Sequence, residues 1–126
     1  MTGCSGDSEP TDEPLRAGSF NFDEGRVLSW IFALAFEDGG IEVDTSNLEP
    51  GSTREILAPA LEEGTIDFVP EYIGSLLDFV GGEAVPDPDV TFAEARSRML
   101  ERGVTLLPSA PAQNNNAFVV TRALSE

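Results

Sequence analysis

One helical stripe constrains the fold of this chain more than any other feature. Val27, Trp30, Ile31, Leu34 and Ala35 recur at i, i+3, i+4, i+7 and i+8, the spacing that gathers apolar groups along one side of an α-helix. Asp23 and Glu24 stand at the positive end of such a helix, and Gly39-Gly40 stop it. The pattern predicts a helix over residues 23–37 with that stripe buried, and Phe32 and Phe36 widen it enough for cover on two sides.

Strands and helices alternate along the rest of the chain. Residues 15–19 read as a strand, as do residues 41–44, where Ile41 and Val43 alternate with acids. Ser52 and Glu55 have capping-box spacing and open a helix to residue 63, kinked at Pro59 and stopped at Gly64. Residues 65–69 form a continuous β-rich run, as a buried parallel strand would. A short helix over residues 74–80 ends at Gly81-Gly82, and residues 86–89 make a turn. Thr91 and Glu94 form a second capping box, opening a helix to residue 102. Strands over residues 104–107 and 117–121 enclose a polar loop at 108–116. This alternation implies an α/β fold, a mainly parallel sheet flanked by helices.

Composition removes whole classes of function. A net charge of −16, with seven Arg as the only basic residues, repels phosphate backbones and anionic lipid, so no nucleic acid is expected as a partner. The chain has no His and one Cys, which removes the commonest general base, any internal disulfide and any thiolate cluster. No metal and no cofactor is expected. No run approaches the ~20 apolar residues that span a bilayer. Residues 1–14 carry four acids, two Pro and no large apolar residue beyond Met1. They read as a solvated tether, with residues 15–126 as one folded unit.

Ligands of open α/β sheets bind where strands end and helices begin. Three such places stand out. In Gly18-Ser19-Phe20-Asn21-Phe22, Gly18 and Ser19 leave room for a ligand at backbone amides; the alternative is a tight turn with Asn21 as helix cap. Past the strand at 65–69 lies Tyr72, the sole Tyr, whose face suits a cation or simply packs at the sheet rim; Ser75 follows as a hydrogen-bonding or capping hydroxyl. Gln113-Asn114-Asn115-Asn116 offers uncharged donors and acceptors, or a turn. Asp67 and Glu71 are a candidate carboxylate pair for hydrolysis. Thr2-Gly3-Cys4 has the form of a lipoprotein cleavage motif, which makes Cys4 a candidate lipid attachment point and gives the following residues a tether's role.

The segments Gly18-Ser19-Phe20-Asn21-Phe22-Asp23-Glu24, Gly51-Ser52-Thr53-Arg54-Glu55, residues 59–74 ending in Pro70-Glu71-Tyr72-Ile73-Gly74, and Ser109-Ala110-Pro111-Ala112-Gln113-Asn114 occur in this order. Together they resemble the glycine betaine/choline/osmoprotectant substrate-binding proteins of ABC importers. The resemblance implies one lobe of a type II periplasmic-binding-protein fold and a binding role rather than an enzymatic one. It also implies a small quaternary amine or zwitterion such as glycine betaine or choline as ligand, and an ABC permease subunit as partner. The place of work would be extracytoplasmic, in the periplasm or at the cell surface. Tyr72 would form part of an aromatic cage, while Ser75 and the Ser19, Phe20 and Asn21 loop would hold the polar end, with Asn114 and Asn115 nearby. Phe20 stands where many members carry Lys and offers a ring in its place, and Ala117 stands where many carry Tyr. Because such receptors close two lobes over the ligand, the resemblance also implies that residues 1–126 are a truncated first lobe that binds weakly or not at all alone. The rival from another class is an acidic α/β interaction domain with no small ligand.

Overall fold

The computed structural model describes residues 13–115 and 119–124. Its elements run β1 (Leu15–Phe20), α1 (Asp23–Asp38), β2 (Val43–Ser52), α2 (Arg54–Glu62), α3 (Ile73–Phe79) and α4 (Pro88–Glu101), with one tight helical turn at Arg122–Leu124. β1 and β2 pair in parallel, placing Leu15 opposite Val43, Arg16 opposite Asp44, Gly18 opposite Asn47 and Phe20 opposite Ser52. The predicted strand at residues 65–69 reduces to a single parallel bridge, Ala17 to Phe68. It is held by the Gly18 amide on the Phe68 carbonyl at 2.8 Å and the Asp67 amide on the Arg16 carbonyl at 2.8 Å. β1 therefore lies in the middle, and the α/β class with flanking helices is the one the alternation predicts.

Alternation along β1 divides the core. Ala17, with Ala33, Val43 and Leu48, packs toward α1. Phe20 packs with Leu57 and Ile66 on the α2 side, joined by Ala60, Leu61, Val69 and Tyr72. A third cluster, Leu76, Leu77, Val80, Ala95 and Met99, fills the space between α3 and α4.

The buried side of α1 is not the predicted one. Its buried residues are Gly25, Ser29 and Ala33, whereas Val27, Ile31 and Leu34 are 58%, 55% and 59% exposed. The reason is close approach. A Cβ at Gly25 would lie 2.7 Å from the Phe20 Cβ, and the Ser29 hydroxyl donates to the Gly18 carbonyl on β1 at 3.0 Å. Only the small residues at i, i+4 and i+8 let the helix axis come that near the strand.

Both predicted capping boxes give way to other caps. Thr53, not Ser52, precedes α2. Ahead of α4, the Asp87 carboxylate accepts from the Asp89 and Val90 amides at 3.0 and 3.3 Å, and Pro88 takes the first helical position, where its missing N–H costs nothing. Thr91 is instead buried, its hydroxyl donating to the Val85 carbonyl at 3.0 Å. Residues 104–107 form no strand: the Val104 amide turns back to the Met99 carbonyl at 3.0 Å, and Val104 and Leu106 pack on the α3–α4 cluster. Of the strand predicted at 117–121, residues 117 and 118 lie outside the described residues and 119–121 are not in a strand. Most of the predicted tether at 1–14, and Cys4 with it, lies outside them too.

Candidate functional site

The carboxyl end of β1 and the first turn of α1 bring three rings together. Phe20 ends β1 and is buried; its backbone is crossed closely by β2, where Gly51, at φ +79°, would carry a Cβ only 2.5 Å from the Phe20 carbonyl oxygen. Phe22 precedes α1 and stacks on Phe20, centroids 5.4 Å apart. Tyr72, just ahead of α3, meets Phe20 at 6.1 Å and Phe22 at 5.8 Å. The rings touch one another, with Phe22 43% exposed and Phe20 4%, so they present a platform whose outer face is Phe22 and Tyr72.

Charged groups border this platform on two sides. On one, the Glu24 carboxylate accepts from the Tyr72 hydroxyl at 3.0 Å and from the Asn114 amide at 2.9 and 3.2 Å. On the other, the Arg54 guanidinium lies 5.1 Å from the Phe20 centroid and holds Glu71 through two hydrogen bonds of 2.7 and 3.1 Å. Arg54 is the first residue of α2, where a cation opposes the helix dipole; the fork on Glu71 and the ring contact offset that. Burial pushes the Tyr72 phenol up to about 12, and the hydrogen bond to Glu24 and the charges of Glu24 and Glu71 act in the same direction. At neutral pH Tyr72 is therefore a hydroxyl donor.

The sequence-predicted residues are distributed as follows. Phe20, Tyr72 and Asn114 meet at this cluster. Ser19 is fully buried, and its hydroxyl donates to the Leu48 carbonyl at 2.6 Å, tying β1 to β2. Asn21 is exposed; its amide donates to the Ser52 carbonyl at 3.0 Å, and no side chain caps α1. Ser75 and Asn115 are exposed, and neither side chain has a hydrogen bond among the described residues. Asn116 and Ala117 lie outside the described residues. Sequence reasoning missed Phe22, Arg54 and Glu24 as site residues, having read Glu24 only as a helix-dipole partner.

Asp67 and Glu71 do not act as a pair. Asp67 accepts from the Arg16 guanidinium at 2.8 Å through each oxygen, and that bond holds its carboxyl below the usual carboxylate range. Glu71 belongs to Arg54 and the Tyr72 amide. Each acid is paired with its own Arg, Asp67 with Arg16 and Glu71 with Arg54.

Over residues 13–126 the chain matches the family described as the substrate binding domain of ABC-type glycine betaine transport systems, OpuAC. The chain belongs to this family. No curated protein and no solved structure matches it. The substrate-binding domain is thus the binding component of an ABC glycine betaine or osmoprotectant transporter, a non-catalytic role. Proteins of this class work outside the cytoplasm, and no helix among the described residues is long and apolar enough to cross a membrane.

Proposed function

We propose that the Phe20–Phe22–Tyr72 platform, edged by Glu24 and Asn114, is where this substrate-binding domain receives the quaternary ammonium group of an osmoprotectant such as choline or glycine betaine, for delivery to an ABC permease subunit. The observation that carries the reading is the contact of Tyr72 with both Phe rings while its hydroxyl is anchored on Glu24. Aromatic faces attract a methylated ammonium electrostatically by ~0.5–2 kcal/mol per ring. Two exposed rings, Phe22 and Tyr72, correspond to a Kd no tighter than on the order of 1 mM. Ser19 supports this reading from beneath, holding the end of β1 to β2, and Asn21, Ser75 and Asn115 stand as exposed polar groups available to the rest of the ligand.

Titration of the 126-residue chain with choline and with glycine betaine, followed by NMR shifts of the ring protons, tests this. Saturable shifts in Phe22 and Tyr72, lost in Tyr72→Ala and in Phe22→Ala, are expected. The second variant removes an exposed ring and leaves the core intact. Saturation that survives both substitutions, or no saturation with either ligand, overturns the proposal. A lipid anchor at Cys4 is the accompanying proposal for how the domain stays near its permease, supported by Thr2-Gly3-Cys4 and the acidic segment after it. Mass spectrometry of the protein from native membranes would find a diacylglyceryl mass on an N-terminal Cys4 peptide, and an unmodified peptide there removes the anchor.

A further inference from the structure

The charges around the platform go further than its aromatic character. We infer that Glu24 makes this a site for a quaternary ammonium cation lacking a carboxylate, a choline-type amino alcohol, in preference to a zwitterionic betaine. The inference rests on the proposed binding of a quaternary amine by the three rings, and adds which kind.

Four features of the surroundings lead there. First, Glu24 is the charged group on the Tyr72 side of the platform, held at the ring's edge by the phenol hydroxyl at 3.0 Å. A cation on the Phe22 and Tyr72 faces would lie beside this solvent-exposed carboxylate, which attracts a cation and repels a ligand carboxylate. Second, the groups that would welcome a ligand carboxylate are already engaged. Arg54 is forked onto Glu71, Arg26 pairs with Asp23 and reaches Glu49 at 3.7 Å, and the positive end of α1 already faces Asp23 and Glu24. Third, the chain's net charge of −16 raises the local concentration of cations and not of neutral zwitterions. Fourth, Asn114, which donates its amide N–H to Glu24, leaves its carbonyl oxygen without a partner among the described residues, an acceptor suited to an alcohol rather than to a carboxylate.

The test is calorimetric titration of the full chain with choline, with glycine betaine and with the uncharged carbon isostere of choline. Wild type should bind choline about tenfold or more tightly than glycine betaine, and choline binding alone should weaken steeply with salt. Glu24→Gln should reduce choline affinity about tenfold while leaving betaine affinity unchanged or improved, so that the ratio falls toward unity. If Glu24→Gln does not fold, the wild-type ratio and its salt dependence decide the matter alone. Glycine betaine bound as tightly as choline overturns the role of Glu24 and leaves the aromatic site standing, whereas an isostere bound as tightly as choline overturns both. Failure of all three ligands to bind removes the site itself.

Discussion

The α3–α4 pair and the sheet with α1 treat large apolar side chains in opposite ways. Between α3 and α4, Leu76, Leu77, Val80, Ala95 and Met99 interdigitate and are all buried. Between α1 and β1 the contact is made by Gly25, Ser29 and Ala33, while Val27, Ile31 and Leu34 face outward. One junction is held by buried large side chains from both helices, the other by close approach, the Ser29 hydroxyl on a strand carbonyl and Phe32 and Phe36 against Phe68. The second arrangement is what brings Glu24 and Phe22, at the start of α1, down onto the end of β1 where Phe20 and Tyr72 lie. Small residues in a helix can thus position a site more tightly than a hydrophobic stripe does.

Substitutions in the two regions test the contrast directly. Leu77→Ala should cost about 2–5 kcal/mol in urea unfolding, whereas Leu34→Gln, on the outward face of α1, should change stability by no more than about 0.5 kcal/mol. Equal losses would break the comparison. Gly25→Ala should come next, at about 1–3 kcal/mol, because its Cβ forces the helix away from Phe20; the same variant should disturb the ring protons of Phe20 and Phe22 although it touches no ligand. At the α3–α4 pair, Asp87→Ala removes the cap of α4 and should cost about 1 kcal/mol, with no change in those rings. The smallest effect belongs to Asp67, whose exposed pair with Arg16 is screened by solvent. Its carboxyl is held below its ordinary value of 3.8, so its contribution is present above that pH and is lost as pH falls through the lowered value. Asp67→Asn should therefore be slightly less stable than wild type at neutral pH, and the difference should vanish in acid.

Much of the fold was legible in the residues. Glycine stops at Gly39, Gly64, Gly81 and Gly103 end the helices near their observed ends. Less legible was which side of a helix faces inward, because the α1 stripe is more hydrophobic than the small-residue side that packs. β2 runs on to Ser52 through Asn47, Pro50 and Gly51, residue types of low strand preference, because pairing with β1 overrides that local preference. Asp87-Pro88 reads as a turn by itself, although Asp before Pro is equally a helix start, and here it opens α4. Of the candidate site, Tyr72 stands out in the sequence as the sole Tyr, just past the run at 65–69, where a ring suits a cation or packing at the sheet rim alike. Glu24 does not stand out, since its partners Tyr72 and Asn114 stand 48 and 90 residues away along the chain, and only the fold brings them together.

Glu24 holds the Tyr72 hydroxyl at the edge of the ring platform. Because Tyr72 is the only Tyr, the phenolate absorbance of the whole protein reports this one group. Alkaline titration of wild type should give a midpoint near 12, and Glu24→Gln should lower it only part of the way, because burial, the largest cause, and the charge of Glu71 remain. A wild-type midpoint already at 10, unchanged by the substitution, would contradict the account.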